Sequence, residues 1–185
     1  MEIKGTALLA IRDFVKTNHG EHFEQWLKIL DEDSRQIFEN PIDSTKWYPV
    51  DSAAEIPTQK ISEMFFNSDN RKGAWESGRF SAEKGLSGIY KIFVKASSPT
   101  FIISRAKDVF AKYYQPCEMR VTKLEKNNVV LEMTGSDGCS EVIEYRIAGW
   151  IEKALEISGA GSVQVDITKA ISKGEDITEF SISWS

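Results

Sequence analysis

The chain up to Pro116 consists of amphipathic helical runs separated by short polar breaks. Apolar residues recur there at intervals of three and four, which is the period of a helix with one buried face. The pattern predicts helices over residues 5–19, 21–30, 57–65, 72–95 and 99–114. Pro116 ends the last of these, because proline has no backbone N–H with which to continue a helix.

Beyond Pro116 the hydrophobic period changes from helical to alternating. Alternation predicts strands at residues 117–122, 129–133, 163–167 and 180–184, with a helix at 143–154 between the two pairs. The predicted fold class is therefore α+β, with N-terminal helices followed by a four-stranded antiparallel sheet in β-β-α-β-β order. We expect the helix at 143–154 to cover one face of that sheet, and the earlier helices to pack on the same side.

The helix predicted over residues 72–95 has two faces of different character. Bulky and apolar side chains form one face, which consists of Trp75, Ala82, Leu86, Ile89, Tyr90 and Phe93. Small side chains form the other, which consists of Ala74, Gly78, Ser81, Gly85 and Gly88. A glycine inside a helix costs about 1 kcal/mol relative to alanine, so three on one face require a close neighbour. That neighbour is either another helix, in this domain or in a dimer, or a ligand in an apolar cavity; helix packing is the commoner reason.

Length, charge and cysteine content narrow the class of protein. The 185 residues fit one domain over 1–185, with a helical part to about residue 115 and a hairpin–helix–hairpin part from 116. A net charge of −5 and the lack of a basic cluster argue against a nucleic-acid partner. No apolar run approaches the roughly 20 residues of a membrane span, and the N-terminus lacks a signal-peptide core. Two cysteines make no disulfide framework, so we expect a cytoplasmic protein.

Three local motifs accompany this order of elements. They are Gly5-Thr6-Ala7, Trp47-Tyr48-Pro49 and Tyr145-Arg146-Ile147-Ala148-Gly149-Trp150. Together with the order of helices and hairpins, they resemble the bacterial heme-NO-binding (H-NOX) proteins over nearly the whole chain. The sequence is also similar to related families without heme, the 4-vinyl-reductase-type domains that bind small molecules and the TRAPP-like interaction subunits. The resemblance implies a sensory or scaffolding module.

Two anchors that hold heme in the family are missing here. Heme-binding members place an axial histidine on the helix before the first hairpin, but residues 99–114 contain no histidine. Tyr113 and Tyr114 are the remaining candidates on that helix, and tyrosine is an unusual iron ligand. Those members also grip the heme propionates with a Tyr-x-Ser-x-Arg motif near the end of the second strand, whereas residues 131–137 lack tyrosine and arginine. We therefore expect no heme and no other cofactor.

No other group of residues indicates a catalytic or metal site. His19 and His22 are the only histidines, Gly20 between them favours a helix break, and a third ligand is lacking. Cys117 fits a small core residue. Cys139 lies near a helix start, where the dipole is expected to lower a thiol pKa, but no histidine is placed beside it. We assign no catalytic residue and do not expect an enzyme.

The preferred interpretation is a heme-independent sensory module that binds a small apolar molecule. The residues expected to form its ligand site are Trp75, Gly78, Ala82, Gly85, Leu86, Tyr90, Phe93, Ile102 and Ala106. Because the sequence contains no cyclase, kinase or methyl-acceptor segment, we expect its signal to pass to a separate partner protein. The alternative is a dimeric interaction scaffold without a ligand, in which the small-residue face forms the interface.

Overall fold

The computed structural model describes residues 1–86, 98–136 and 138–185. The first range contains β1 (Glu2–Lys4), α1 (Gly5–Asn18), α2 (Phe23–Ile29), α3 (Glu32–Glu39), β2 (Trp47–Pro49), α4 (Ile56–Phe65) and α5 (Asn70–Gly85). The other two contain α6 (Pro99–Ser104), α7 (Ala106–Phe110), β3 (Tyr114–Gln115), β4 (Glu118–Glu125), β5 (Asn128–Thr134), α8 (Glu141–Ile157), β6 (Gln164–Lys169) and β7 (Thr178–Ser183). None of the helices in these ranges has both the length and the apolarity to cross a membrane.

Short polar side chains begin several of the helices. Asp31 starts α3 by accepting a hydrogen bond from the Ser34 N–H at 2.9 Å. Asp69 starts α5 in the same way, through the Lys72 N–H at 3.0 Å. Each such cap satisfies a backbone donor that has no partner within the helix. The caps therefore fix where the chain turns from loop to helix.

The last four strands form one antiparallel sheet with the spatial order β4-β5-β7-β6. Along the chain, α8 separates the β4–β5 hairpin from the β6–β7 hairpin. Val129, Leu131 and Met133 alternate with half-buried residues on β5, as expected for a strand with one face in the core. Leu131 pairs with Phe180 on β7, which is also fully buried. α8 contacts β6 and places its apolar side chains in the same core.

A second sheet, which the sequence pattern did not predict, joins the two ends of the helical part. It has the order β2-β1-β3, and Ile3 in its centre pairs with Tyr48 on one side and Tyr114 on the other. The prediction of one helix over 99–114 is therefore wrong. The chain forms α6 and α7 and then an extended segment, because Tyr114 and its neighbours pair with β1. Strands of two or three residues are too short to show an alternating pattern.

The crossing of α5 and α8 explains part of the small-residue face. A Cβ atom on Gly78 would collide with the Arg146 carbonyl oxygen and lie 3.0 Å from the backbone nitrogen of Trp150. A Cβ atom on Gly149, on the opposite helix, would collide with the Trp75 carbonyl oxygen. Each glycine thus lets one helix backbone touch the other. Close packing within the chain accounts for Gly78, and this part of the face is covered by α8.

Ion pairs at the edge of the same crossing tie α5 to α8. Arg79 on α5 donates two hydrogen bonds to the Glu156 carboxylate, at 3.0 and 2.9 Å, and also pairs with Glu152. The Trp75 indole N–H donates to Glu152 at 2.8 Å. The Arg79 side chain is 24% exposed, so its charge is only partly screened by water. A two-pronged guanidinium–carboxylate pair of this kind is stronger than a single surface contact.

Replacement of Arg79 by alanine is expected to lower the free energy of unfolding by about 1–2 kcal/mol, since it removes these hydrogen bonds from the α5–α8 edge. Urea denaturation followed by circular dichroism measures the change. Arg105→Ala is the control, because Arg105 is 59% exposed and pairs with Asp108 at 3.5 Å. Exposed pairs contribute roughly 0–1 kcal/mol, so equal losses in both variants would contradict a special role for Arg79.

Candidate ligand-binding cavity

A cavity of about 820 Å³ lies between the helices and the four-stranded sheet. Its walls come from α1, the end of α5, α6, α7, the β4–β5 hairpin and α8. Most of the lining is apolar and includes Ala10, Ile103, Phe110, Met119, Leu131 and Ile147. The volume falls within the range of roughly 300–1,000 Å³ that is typical of small-molecule sites.

The structure brings together part of the predicted ligand site. Five of the predicted residues line the cavity, namely Gly78, Gly85, Leu86, Ile102 and Ala106. Tyr90 and Phe93 lie outside the described residues. Trp75 and Ala82 are not among the described lining residues. Trp75 faces α8 instead, where its indole binds Glu152 and its ring lies 6.2 Å from that of Tyr145.

Gly85 differs from Gly78 in what a side chain would meet. A Cβ atom on Gly85 has one close neighbour, the Tyr113 hydroxyl at 3.2 Å, which is the end of a flexible side chain. No backbone of the described residues blocks it. The same helix face therefore packs against α8 at Gly78 and borders the cavity at Gly85, so both interpretations of the small-residue face apply to part of it.

The most polar feature of the wall is Arg146, which the sequence analysis did not select. This arginine on α8 is 2% exposed. Its guanidinium donates to the Ser77 hydroxyl at 2.6 Å, to the Ser81 hydroxyl at 2.7 Å and weakly to the Ala7 carbonyl at 3.5 Å. The Arg146 Nε has no hydrogen-bond partner in the described part of the chain. The sequence did contain a signal, since Arg146 sits beside the apolar stripe of the predicted helix.

Tyr114 lies next to Arg146 and is also buried. Burial raises the pKa of its hydroxyl above the ordinary value, because desolvation disfavours the phenolate, while the nearby Arg146 charge acts in the opposite direction. Tyr114 is therefore protonated at neutral pH. It contributes a hydroxyl, and not an anion, to the cavity wall.

No histidine or cysteine is among the described residues that line the cavity. The His19 ring stacks on Phe65 with a centroid distance of 3.8 Å, and His22 is close by and half-exposed. Cys117 and Cys139 are buried and unpaired with each other. No group of three or more metal-binding side chains occurs among the described residues.

The expectation of a lowered thiol pKa at Cys139 is wrong. Burial raises the pKa of this thiol, and the nearby charges of Glu144 and Glu55 act in the same direction. Burial also raises the pKa of Cys117, to about 11. Neither thiol is a reactive nucleophile at neutral pH, because the thiolate is the reactive form.

The residues that line the cavity do not fit the usual ligands of heme iron. Imidazole and thiolate are the common donors, and neither histidine nor cysteine is part of the lining. Tyr113, Tyr114 and Met119 do line it. A tyrosine must ionise to bind iron as phenolate, whereas burial keeps the Tyr114 hydroxyl protonated. The described lining residues therefore do not fit a heme held through an axial imidazole, as in the H-NOX family.

Comparison with known proteins relates the whole chain to one group of solved structures. No protein-family model and no curated protein matches it. An S. oneidensis H-NOX mutant in the Fe(II) state superposes with a TM-score of 0.76 and 16% identity over 98% of this chain and 96% of that chain. The unliganded K. algicida H-NOX gives 0.70 and 14% over 98% and 96%. A T. tengcongensis H-NOX mutant gives 0.67 and 15% over 98% and 97%. The protein therefore has an H-NOX-like fold.

Proposed function

We propose that this protein is a heme-independent sensory module that binds a small, largely apolar molecule in the cavity and passes the signal to a separate protein. One observation carries the proposal. The H-NOX-like fold here contains a cavity of about 820 Å³ with mainly apolar walls, and no imidazole or thiolate is among the described residues that line it. Burial of apolar ligand surface contributes roughly 25 cal/mol per Å², so such walls favour an apolar ligand.

The cavity is better suited to binding than to catalysis. A general base needs a pKa near the working pH and a position beside the reacting atom. The Tyr114 hydroxyl has a raised pKa and is a poor base. Both buried thiols have raised pKa values as well. These properties support a sensor and give no support to a nucleophilic or acid–base enzyme.

The geometry of the glycine face also bears on the alternative of a dimeric scaffold. α8 of the same chain covers Gly78. A dimer interface built on that glycine is thus not open to a second copy, and a scaffold would have to use another surface. A second S. oneidensis H-NOX structure was solved in the Fe(II)NO ligation state, so in that protein the fold holds a small ligand. This observation supports the sensor over the scaffold.

Native mass spectrometry of protein purified without refolding tests the proposal. We expect a mass excess of roughly a few hundred daltons that disappears on denaturation, as a trapped ligand of the size that such cavities hold would give. Protein without a co-purified ligand is then titrated with decan-1-ol, a neutral apolar probe, to measure its binding. A failure to bind both this probe and the carboxylate of the same chain length, or a ligand-free dimer as the only species, would contradict the sensor proposal and favour the scaffold.

The heme-independent part of the proposal has its own test. Hemin added to the purified protein is expected to show none of the absorption bands of imidazole- or thiolate-ligated heme, because the described cavity lining offers iron neither donor. Protein from cells supplied with a heme precursor should likewise lack these bands. Stoichiometric bands of an axially ligated heme in either preparation would contradict the heme-independent proposal.

A further inference from the structure

Arg146 is a buried cation without a buried anion beside it. Its hydrogen-bond acceptors are two serine hydroxyls, a backbone carbonyl and the Tyr114 hydroxyl, all of them neutral. No carboxylate of the described residues contributes to its electrostatic environment. Burial accordingly lowers the pKa of the guanidinium, although the Tyr114 hydroxyl opposes that shift. A buried charge without a counter-charge is destabilising, because neutral partners replace only part of its hydration.

A second buried charge on the same helix shows how a structural charge is satisfied in this protein. The Glu144 carboxylate accepts hydrogen bonds from the Ser172 N–H and hydroxyl, and from the Thr178 hydroxyl. Both of its oxygens have donors, and it faces the β6–β7 connection instead of the cavity. Arg146 differs from Glu144 in two ways. Its Nε has no hydrogen-bond partner among the described residues, and its side chain lines the cavity.

The remaining charged side chains of the wall are mostly positive. Lys4, Lys84 and Lys112 line the cavity together with Arg146, whereas Asp13 is the sole carboxylate among the described lining residues. Asp13 in turn lies 3.5 Å from the Arg12 guanidinium. The whole chain has a net charge of −5, so this excess of positive charge is local to the cavity. It favours an anionic ligand.

We propose that the ligand of the cavity is an amphiphilic carboxylate, with an apolar chain or ring system against the apolar walls and its carboxylate paired with Arg146. The inference rests on the proposed function and adds the ligand's charge to it. A carboxylate supplies the missing counter-charge and accepts hydrogen bonds from guanidinium N–H groups in a planar, two-pronged geometry. The Tyr114 hydroxyl accepts a hydrogen bond from the guanidinium and, because its raised pKa keeps it protonated, it also carries a proton that it can donate to a carboxylate. The serines hold Arg146 in place before the ligand binds.

Isothermal titration calorimetry at pH 7.5 with two matched probes tests this inference. Decanoate and decan-1-ol have the same chain and differ in charge; both are used below their aggregation limits. The wild-type protein should bind decanoate at least about tenfold more tightly than decan-1-ol, since a hydrogen bond to a charged group contributes roughly 1.5–3 kcal/mol. Arg146→Gln should reduce that preference to about twofold, while its affinity for decan-1-ol changes little. Arg146→Lys, which keeps the charge, should retain a preference for decanoate.

Acetate and inorganic phosphate serve as anions without an apolar chain. If either binds the wild type as tightly as decanoate does, the site is a simple anion site and the inference fails. Equal binding of decanoate and decan-1-ol would agree with an apolar ligand site and would contradict only the proposal that the ligand is a carboxylate. If neither ten-carbon probe binds, the proposed function itself fails. The wild-type comparison decides among these outcomes even if Arg146→Gln does not fold.

Discussion

Gly78→Ala is expected to lower the free energy of unfolding by about 3 kcal/mol, although it adds a single methyl group. The new Cβ would collide with the Arg146 carbonyl oxygen and approach the Trp150 nitrogen to 3.0 Å. Both of these atoms belong to the α8 backbone, which cannot rotate out of the way as a side chain can. The two helices must separate, and the contacts around their crossing are lost. Urea denaturation monitored by circular dichroism measures the loss.

The control for this prediction is the same substitution in the same helix. Gly85→Ala places its methyl group 3.2 Å from the Tyr113 hydroxyl, which can move. Alanine also favours the helix by up to about 1 kcal/mol over glycine, so this variant should be neutral or slightly more stable. A loss of stability at Gly85 equal to that at Gly78 would contradict the assignment of the Gly78 effect to contact with the α8 backbone.

Several of the helices and the main sheet could be predicted because each is long enough to show its period, whereas α3 (Glu32–Glu39) was not predicted and α6 and α7 were predicted as one helix. α1 was predicted over residues 5–19 and spans Gly5–Asn18, and α8 was predicted over 143–154 and spans Glu141–Ile157. The three-stranded sheet could not be predicted, since its strands have two or three residues and pair with partners more than forty positions away. The pattern at 99–114 looked helical throughout because the apolar spacing continues beyond Phe110, where α7 ends, to Tyr113, directly before the strand that pairs with β1.

The cavity lining was predictable in some of its apolar positions and not in its polar ones. A glycine inside a predicted helix lowers the stability of that helix, so it indicates a close neighbour that requires it. This argument selected Gly78 and Gly85 from the sequence. The sequence does not show which reason applies at each position, because that depends on whether α8 or the cavity lies opposite. Arg146 was missed because a charged residue next to an apolar stripe usually reaches solvent. Its burial follows from the tertiary packing of α1, α5 and α8 around it.

The described geometry links packing and binding through one helix. α5 touches the α8 backbone at Gly78, supplies Ser77 and Ser81 to Arg146, and reaches the cavity edge at Gly85. Under the proposed function, changes in ligand occupancy act on the same pair of helices whose contact stabilises the fold. This arrangement would connect the cavity directly to the outer surface of α5 and α8.

Gly85→Leu is expected to weaken binding of decan-1-ol by roughly 30-fold, which corresponds to about 2 kcal/mol of repacking in a filled site. The leucine Cβ begins 3.2 Å from the Tyr113 hydroxyl, so the rest of the side chain extends into the cavity and competes with the ligand. The free energy of unfolding should stay within about 1 kcal/mol of the wild type, because the leucine is apolar and its Cβ does not collide with the α8 backbone. Calorimetric titration gives the affinity, and urea denaturation gives the stability.

Gly85→Ala separates the effect of volume from that of the glycine itself, since it adds a methyl group and leaves the cavity largely open. It should bind decan-1-ol within about threefold of the wild type, a difference of roughly 0.7 kcal/mol. The two functional hypotheses then make opposite predictions for Gly85→Leu. A ligand cavity loses affinity while the oligomeric state stays the same, whereas a scaffold interface loses its dimer, as sedimentation would detect, and shows no dependence on the probe. Unchanged affinity in a folded Gly85→Leu protein would place the ligand elsewhere and remove Gly85 from the site.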